Sequence, residues 1–121
     1  MKAATSTRLV FGTGVLLVLL APCPARSVDA AAAERAIKDN NCIKCHAVER
    51  KKDGPAYRDV AAKFRGEPDA EDKVIRHITS GEMVKFADGH EEHHKKIKLS
   101  GEEDLRNVSR WILSLEGGNK Y

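Results

Sequence analysis

The chain has 121 residues, with 21 Lys+Arg against 18 Asp+Glu, a formal charge of +3 and three Cys. That length holds one domain, and the charge is too small to argue for a nucleic-acid partner. Three Cys are too few, and odd in number, for a disulfide scaffold. The charge is unevenly placed. Lys2, Arg8 and Arg26 are the only charges in residues 1–27, so the remainder balances 18 basic against 18 acidic side chains.

Residues 1–27 read as a secretory signal peptide. Lys2 and Arg8 precede an uncharged run of 13 residues, Leu9–Ala21, and small residues follow it. The run is short of the roughly 20 residues needed to span a bilayer. An uncleaved anchor is the alternative, but after processing no stable membrane span is expected. Cleavage is placed between 25 and 30, leaving 28–121 as the mature domain. Leu20-Ala21-Pro22-Cys23 is like a lipid-attachment box, yet Pro22 stands where a small residue other than Pro is needed. Cys23 is therefore read as part of the leader.

The mature domain reads as all-α, with about four helices. Asp29 is placed to cap a helix over Ala30–Asp39, with Ala33, Ala36 and Ile37 on one stripe and Asn40-Asn41 at its end. A short helix is expected over Ala56–Phe64. Asp69 is a candidate cap for Ala70–Thr79, with Val74, Ile75 and Ile78 on one side and Gly81 just beyond. The 18 residues from Glu82 to Leu99 are weakly patterned and show no strand or hairpin signal; a stretch of that length in a small domain is usually functional. Ser100 and Glu103 have capping-box spacing. Leu105, Val108, Ile112 and Leu115 then form the last stripe, with Trp111 beside it and Gly117-Gly118 as the stop. Leu, Ile, Val and Phe supply only 18 of residues 28–121, about the fraction at which a charged chain stops folding unaided. Such a domain needs a staple or a cofactor in its core.

Cys42-Ile43-Lys44-Cys45-His46 supplies one. Two Cys two residues apart, followed at once by His, form the attachment signature of c-type haem. The thiols of Cys42 and Cys45 add to the two vinyl groups, and His46 reaches the iron as proximal ligand. A zinc site lacks a second Cys pair. A thioredoxin-like redox pair lacks its βαβ context. One covalent haem c is the reading.

On these residues the sequence resembles the short bacterial class I cytochromes c. The matching runs are Cys42–Val48, Gly54-Pro55-Ala56-Tyr57 through Phe64, Ile78–Gly81, and Ser100 through Leu115. The resemblance implies the cytochrome c fold, with the first and last helices crossing beside one covalently bound haem. It also implies that the Pro55 carbonyl accepts a hydrogen bond from the His46 ring.

The chain departs from this family at the sixth ligand. Relatives carry a Met-Pro before the last helix, and this chain has none. Six residues before Ser100, where the Met belongs, stands His94. His93, His90 and Met83 are the alternatives, together with an open or water-bound iron. Left to composition, the three His would be a solvated charged loop or a surface metal site. His77 reads as an ordinary, partly exposed helix residue. A Trp-Gly that often meets a haem propionate is replaced by Val84-Lys85-Phe86, which leaves Lys85 and Arg58 as guesses for that role. With imidazole in place of thioether, a bis-His, low-spin haem of lower potential than Met-ligated relatives is expected.

The function this implies is electron transfer by a monomeric periplasmic carrier, not an enzyme, passing one electron between redox partner proteins. A binder or sensor of NO or CO, and the haem subunit of a periplasmic dehydrogenase, are the alternatives. Lys44, Lys51 and Lys52 beside the haem motif fit an acidic partner as well as they fit plain soluble surface.

Overall fold

A computed structural model describes residues 27–115. All but Ser27 of the expected leader, Cys23 included, lies outside the described residues, as does Gly117-Gly118. The four expected helices form: α1 (Ala30–Asp39), α2 (Tyr57–Lys63), α3 (Ala70–Ser80) and α4 (Glu102–Ser114). A single 3-10 turn, Cys42–Lys44, carries the Cys-rich segment.

The helix ends show which local signals were used. Asp29 caps α1, its Oδ1 accepting the Ala32 N–H at 2.9 Å. Asn40 ends that helix, and Asn41 turns left-handed at φ 58°. Gly81 ends α3 at φ 68°, a conformation that favours glycine. Two expected caps are not made. Asp69 stands before α3 without a side-chain cap bond; its carboxylate meets Lys73 Nζ at 3.1 Å instead. Helix α4 starts after an extended Gly101, and Ser100 makes no cap. Glu102, Glu103 and Asp104 fill its first turn, where negative charge favours a helix start.

The segment after α3, which shows no hairpin signal in the sequence, adds a small two-stranded sheet to the helical fold. Met83–Lys85 (β1) pairs antiparallel with Glu91–His93 (β2), with Met83 opposite His93 and Lys85 opposite Glu91. Phe86 N–H donates to the His90 carbonyl at 2.9 Å, and Gly89 takes φ 93° in the turn. β1 is Met-Val-Lys with only Val84 half-buried, and β2 is exposed Glu-Glu-His, so two three-residue strands are too short to show a readable alternation.

Helix α4 packs on α1, α2 and α3. The core joins Ala33 and Ile37 of α1, Tyr57, Val74, Ile97, and Val108, Trp111 and Ile112 of α4. Each large apolar side chain buried there contributes roughly 1.5–3 kcal/mol. Polar clasps fix the helix geometry. Asn107 Nδ2 donates to the Asp29 carbonyl, and Asp29 N–H donates to Asn107 Oδ1, both at 2.9 Å. Arg106 and Arg110 reach across to Glu71 on α3, at 2.9 and 3.2 Å. The fully buried Ser109 hydroxyl donates to the Glu71 carbonyl at 3.1 Å. No helix among the described residues is long and apolar enough to cross a membrane.

Candidate metal centre

Cys42 and Cys45 stand at either end of the 3-10 turn as free, half-buried thiols. The turn closes through Cys45 N–H and His46 N–H, both donating to the Cys42 carbonyl, which brings His46 round beneath the two sulfurs. His46 Nδ1–H donates to the Pro55 carbonyl at 2.8 Å. A carbonyl only accepts, so this bond puts the proton on Nδ1 and leaves the Nε2 lone pair available to a metal. Tyr57 stacks on the imidazole at 5.3 Å and 15°, and Trp111 meets Tyr57 edge-on at 5.9 Å. Gly54 closes the remaining side: a Cβ there would lie 2.4 Å from His46 Cε1. Burial lowers the His46 pKa, opposed by the Pro55 bond, and favours the neutral, ligating imidazole. Burial likewise raises the Cys42 and Tyr57 pKa values.

Across the cleft stands His94, its ring centroid 6.1 Å from that of His46, with 54° between the planes. Its Nδ1 is sealed from solvent without a hydrogen bond of ordinary geometry. Burial lowers its pKa too, helped by the neighbouring His77 and His46. Backbone bonds set its place. His94 N–H donates to the Glu82 carbonyl and Ile97 N–H to the Ile78 carbonyl, both at 2.8 Å. Lys98 N–H donates to Asn40 Oδ1 at 2.7 Å.

The other candidates stand elsewhere. His93 is exposed, with its Nδ1–H donating to the Gly81 carbonyl at 2.8 Å. His90 stacks on Phe86 and bonds Asp88 on the surface. Met83 is 51% exposed and lines no cavity described here. No group of three or more His, Cys, Asp or Glu is placed to hold a surface metal ion among the described residues. Lys85 lines the cleft, whereas Arg58 lines neither of its cavities and pairs with Glu49 at 2.9 Å.

Two cavities meet between the imidazoles. One, of about 440 Å³, is walled by apolar side chains including Ile37, Val60, Phe64, Val74, Ile78, Ile97, Val108 and Ile112. The other, of about 500 Å³, opens past Cys42, Cys45, Lys44, Lys85, Phe86 and Lys95. Cys42, His46, Pro55, His77 and His94 line both. An apolar slot with two thiols on one rim and an imidazole on each side fits a flat, covalently held metal macrocycle.

Comparison with known proteins agrees. Residues 30–116 match the family model described as Cytochrome c. The chain belongs to the cytochrome c family. It is 39% identical over 77 residues to cytochrome c-551 of Pseudomonas aeruginosa, covering 64% of this chain and 70% of that one. It is 35% identical over 79 residues to cytochrome c-552 of Nitrosomonas europaea, covering 65% and 74%. The crystal structure of the class 1 cytochrome MtoD from Sideroxydans lithotrophicus ES-1 superposes with a TM-score of 0.72 at 52% identity, over 75% of this chain and 100% of that one. As a small class I cytochrome c, the protein carries one covalently attached c-type haem and is an electron carrier rather than an enzyme.

Sequence reasoning missed three contributors. Tyr57 and Gly54 shape the seat of His46, and only the Gly-Pro turn hinted at either. His77 is a partly exposed helix residue, as expected, and also lines both cavities of the cleft. Its position three residues after Val74, on the stripe that turns inward, was the signal available.

Proposed function

We propose that the protein is a periplasmic electron carrier whose haem is bound by thioethers from Cys42 and Cys45 and ligated axially by His46 and His94. The observation that carries the axial pair is the 6.1 Å between the two ring centroids. A metal bonded to two imidazoles at the usual distance of about 2 Å separates their centroids by roughly 6 Å. The buried Nδ1 of His94 adds to this: His94 is a neutral imidazole held in the cleft, whereas His93, His90 and Met83 are exposed.

When bound, haem supplies a one-electron ferric/ferrous couple. The residues around it do the rest. His46 is held in one tautomer by Pro55, which orients the ring and raises its donor strength. His94 replaces a soft thioether with a stronger donor and so favours the ferric state, lowering the potential. The apolar wall from Ile37 to Ile112 excludes water and keeps reorganisation small. Lys44, Lys85 and Lys95 border the second cavity together with Asp53 and Glu92, which leaves its rim with a small positive excess. This favours acidic redox partners and an association rate that falls with salt. Lys52 is partly committed, donating to the Ile43 carbonyl at 2.5 Å. The basic, apolar N-terminal stretch supports export to the periplasm.

Electron paramagnetic resonance and near-infrared spectra of the oxidised holoprotein test the ligand pair. A low-spin bis-imidazole signature, lost in His94→Ala, is expected. An iron–thioether charge-transfer band that disappears in Met83→Ala would move the sixth ligand to Met83.

A further inference from the structure

A ligating imidazole is normally oriented by a hydrogen bond from its second nitrogen, as Pro55 orients His46. His94 has no such bond. Its Nδ1 is buried, and it meets the neighbouring Lys95 backbone only outside ordinary hydrogen-bond geometry. Something else must fix the rotation of this ring.

His77 stands in the position to do so. Its ring centroid lies 4.1 Å from that of His94, with 50° between the planes, and it lines both cavities of the cleft. Glu82 holds both residues. Its carboxylate accepts the His77 Nδ1–H, and its backbone carbonyl accepts the His94 N–H at 2.8 Å. An ionised carboxylate only accepts, so the proton in the His77 bond sits on His77 Nδ1. The plane of His77 is thereby anchored to the same residue that anchors the backbone of His94.

We propose that His77 and Glu82 are a positioning pair for the distal imidazole, His77 as the wall that sets the rotation of the His94 ring and Glu82 as the point that locks the wall and the ring-bearing segment together. This rests on His94 being the distal ligand. The angle between two axial imidazoles governs the anisotropy of a ferric low-spin signal. A residue that sets that angle is therefore visible in the spectrum without any loss of stability.

The test uses the covalently loaded protein and the variants His77→Ala, His77→Phe and Glu82→Ala. Two measurements are made: ferric electron paramagnetic resonance, and the rate at which CO displaces the distal ligand of the ferrous protein. In His77→Ala the low-spin signal shifts or splits into several species, and CO displacement accelerates by about ten- to a hundredfold, the usual effect of losing an orienting partner. His77→Phe keeps a ring against His94 and stays near the wild-type spectrum and rate. Glu82→Ala moves both readouts in the same direction as His77→Ala, and it decides alone should His77→Ala fail to fold. A bis-imidazole wild type whose spectrum and CO rate are unchanged in His77→Ala and Glu82→Ala overturns the positioning role. A wild type without the bis-imidazole signature instead overturns the ligation on which it rests.

Discussion

Replacing Gly54 by Ala tests how tightly the proximal imidazole is seated. The φ at Gly54 is an ordinary one, so the substitution carries no backbone strain and acts through its added methyl alone. That Cβ would fall 2.4 Å from His46 Cε1 and 2.8 Å from both ring nitrogens, about 1 Å inside normal contact. The ring has nowhere to retreat. Tyr57 stacks on it at 5.3 Å, and its Nδ1–H is committed to Pro55 at 2.8 Å. Overpacking of this kind costs about 1–3 kcal/mol, and losing the Pro55 bond adds about 1 kcal/mol. Together they give a destabilisation of roughly 2–4 kcal/mol. Guanidinium unfolding of the oxidised holoprotein measures it, and the visible spectrum reports the displaced ligand. Gly66→Ala is the control: at φ 81°, with nothing within 4 Å of the added atom, it costs about 1–2 kcal/mol of conformational strain and leaves the haem spectrum unchanged. A Gly54→Ala protein with the wild-type midpoint and spectrum would refute the reasoning.

Three other outcomes are expected. Asn107→Ala removes both bonds of the clasp on Asp29 and lowers stability by about 1–2 kcal/mol in the same unfolding assay, with unchanged ligation. Glu71→Gln weakens the Arg106–Arg110 bridge between α3 and α4, costing about 1 kcal/mol at neutral pH. Burial alone would raise the Glu71 pKa, but the two arginine bonds outweigh it and hold the carboxyl below its ordinary 4.5. Its contribution is therefore complete above that value and lost as pH falls through the lower folded one, so wild type and variant converge in acid. Finally, Cys42→Ala with Cys45→Ala, which prevents covalent attachment, abolishes cooperative thermal unfolding. A sharp melting transition in the haem-free variant would show that the polypeptide core suffices.

The helices were legible because their signals are local. Asp29 with Ala33 and Ile37, and Gly81 after Val74 and Ile78, are pairings of cap and stripe that survive in the fold. The Asp69 and Ser100 caps failed because other partners compete for the same groups: Lys73 takes the Asp69 carboxylate, and α4 begins beyond Ser100 behind acidic residues suited to its dipole. The β1–β2 hairpin escaped notice although Asp88-Gly89 is a turn pair, because each strand is only three residues long and Val84 alone is half-buried. The attachment motif was the most readable part of the site, since its chemistry demands consecutive residues. The distal half is assembled from α3, Glu82 and the segment at His94. Its members are separated in the chain, and only tertiary contact shows that His77 belongs among them.

The path of the distal segment helps explain how a ligand can differ while the fold persists. From His94 to Lys98 the chain is fastened through main-chain groups: His94 to Glu82, Ile97 to Ile78, and Lys98 to the side chain of Asn40. None of these bonds uses the side chain at position 94. Ile97, buried in the core, supplies the apolar anchor three residues further on. The side chain at 94 is thus delivered to the cleft whatever its identity, and under the proposed ligation its chemistry sets the potential. The same arrangement predicts where tolerance ends. Asn40→Ala removes the fastening at Lys98 and loosens the delivery of His94, while Lys98→Ala keeps the backbone N–H and leaves it intact. Ferric spectra of the two variants should therefore diverge, the first gaining a species with the distal imidazole detached. Identical spectra would show that the His94–Glu82 and Ile97–Ile78 bonds hold the segment without Asn40.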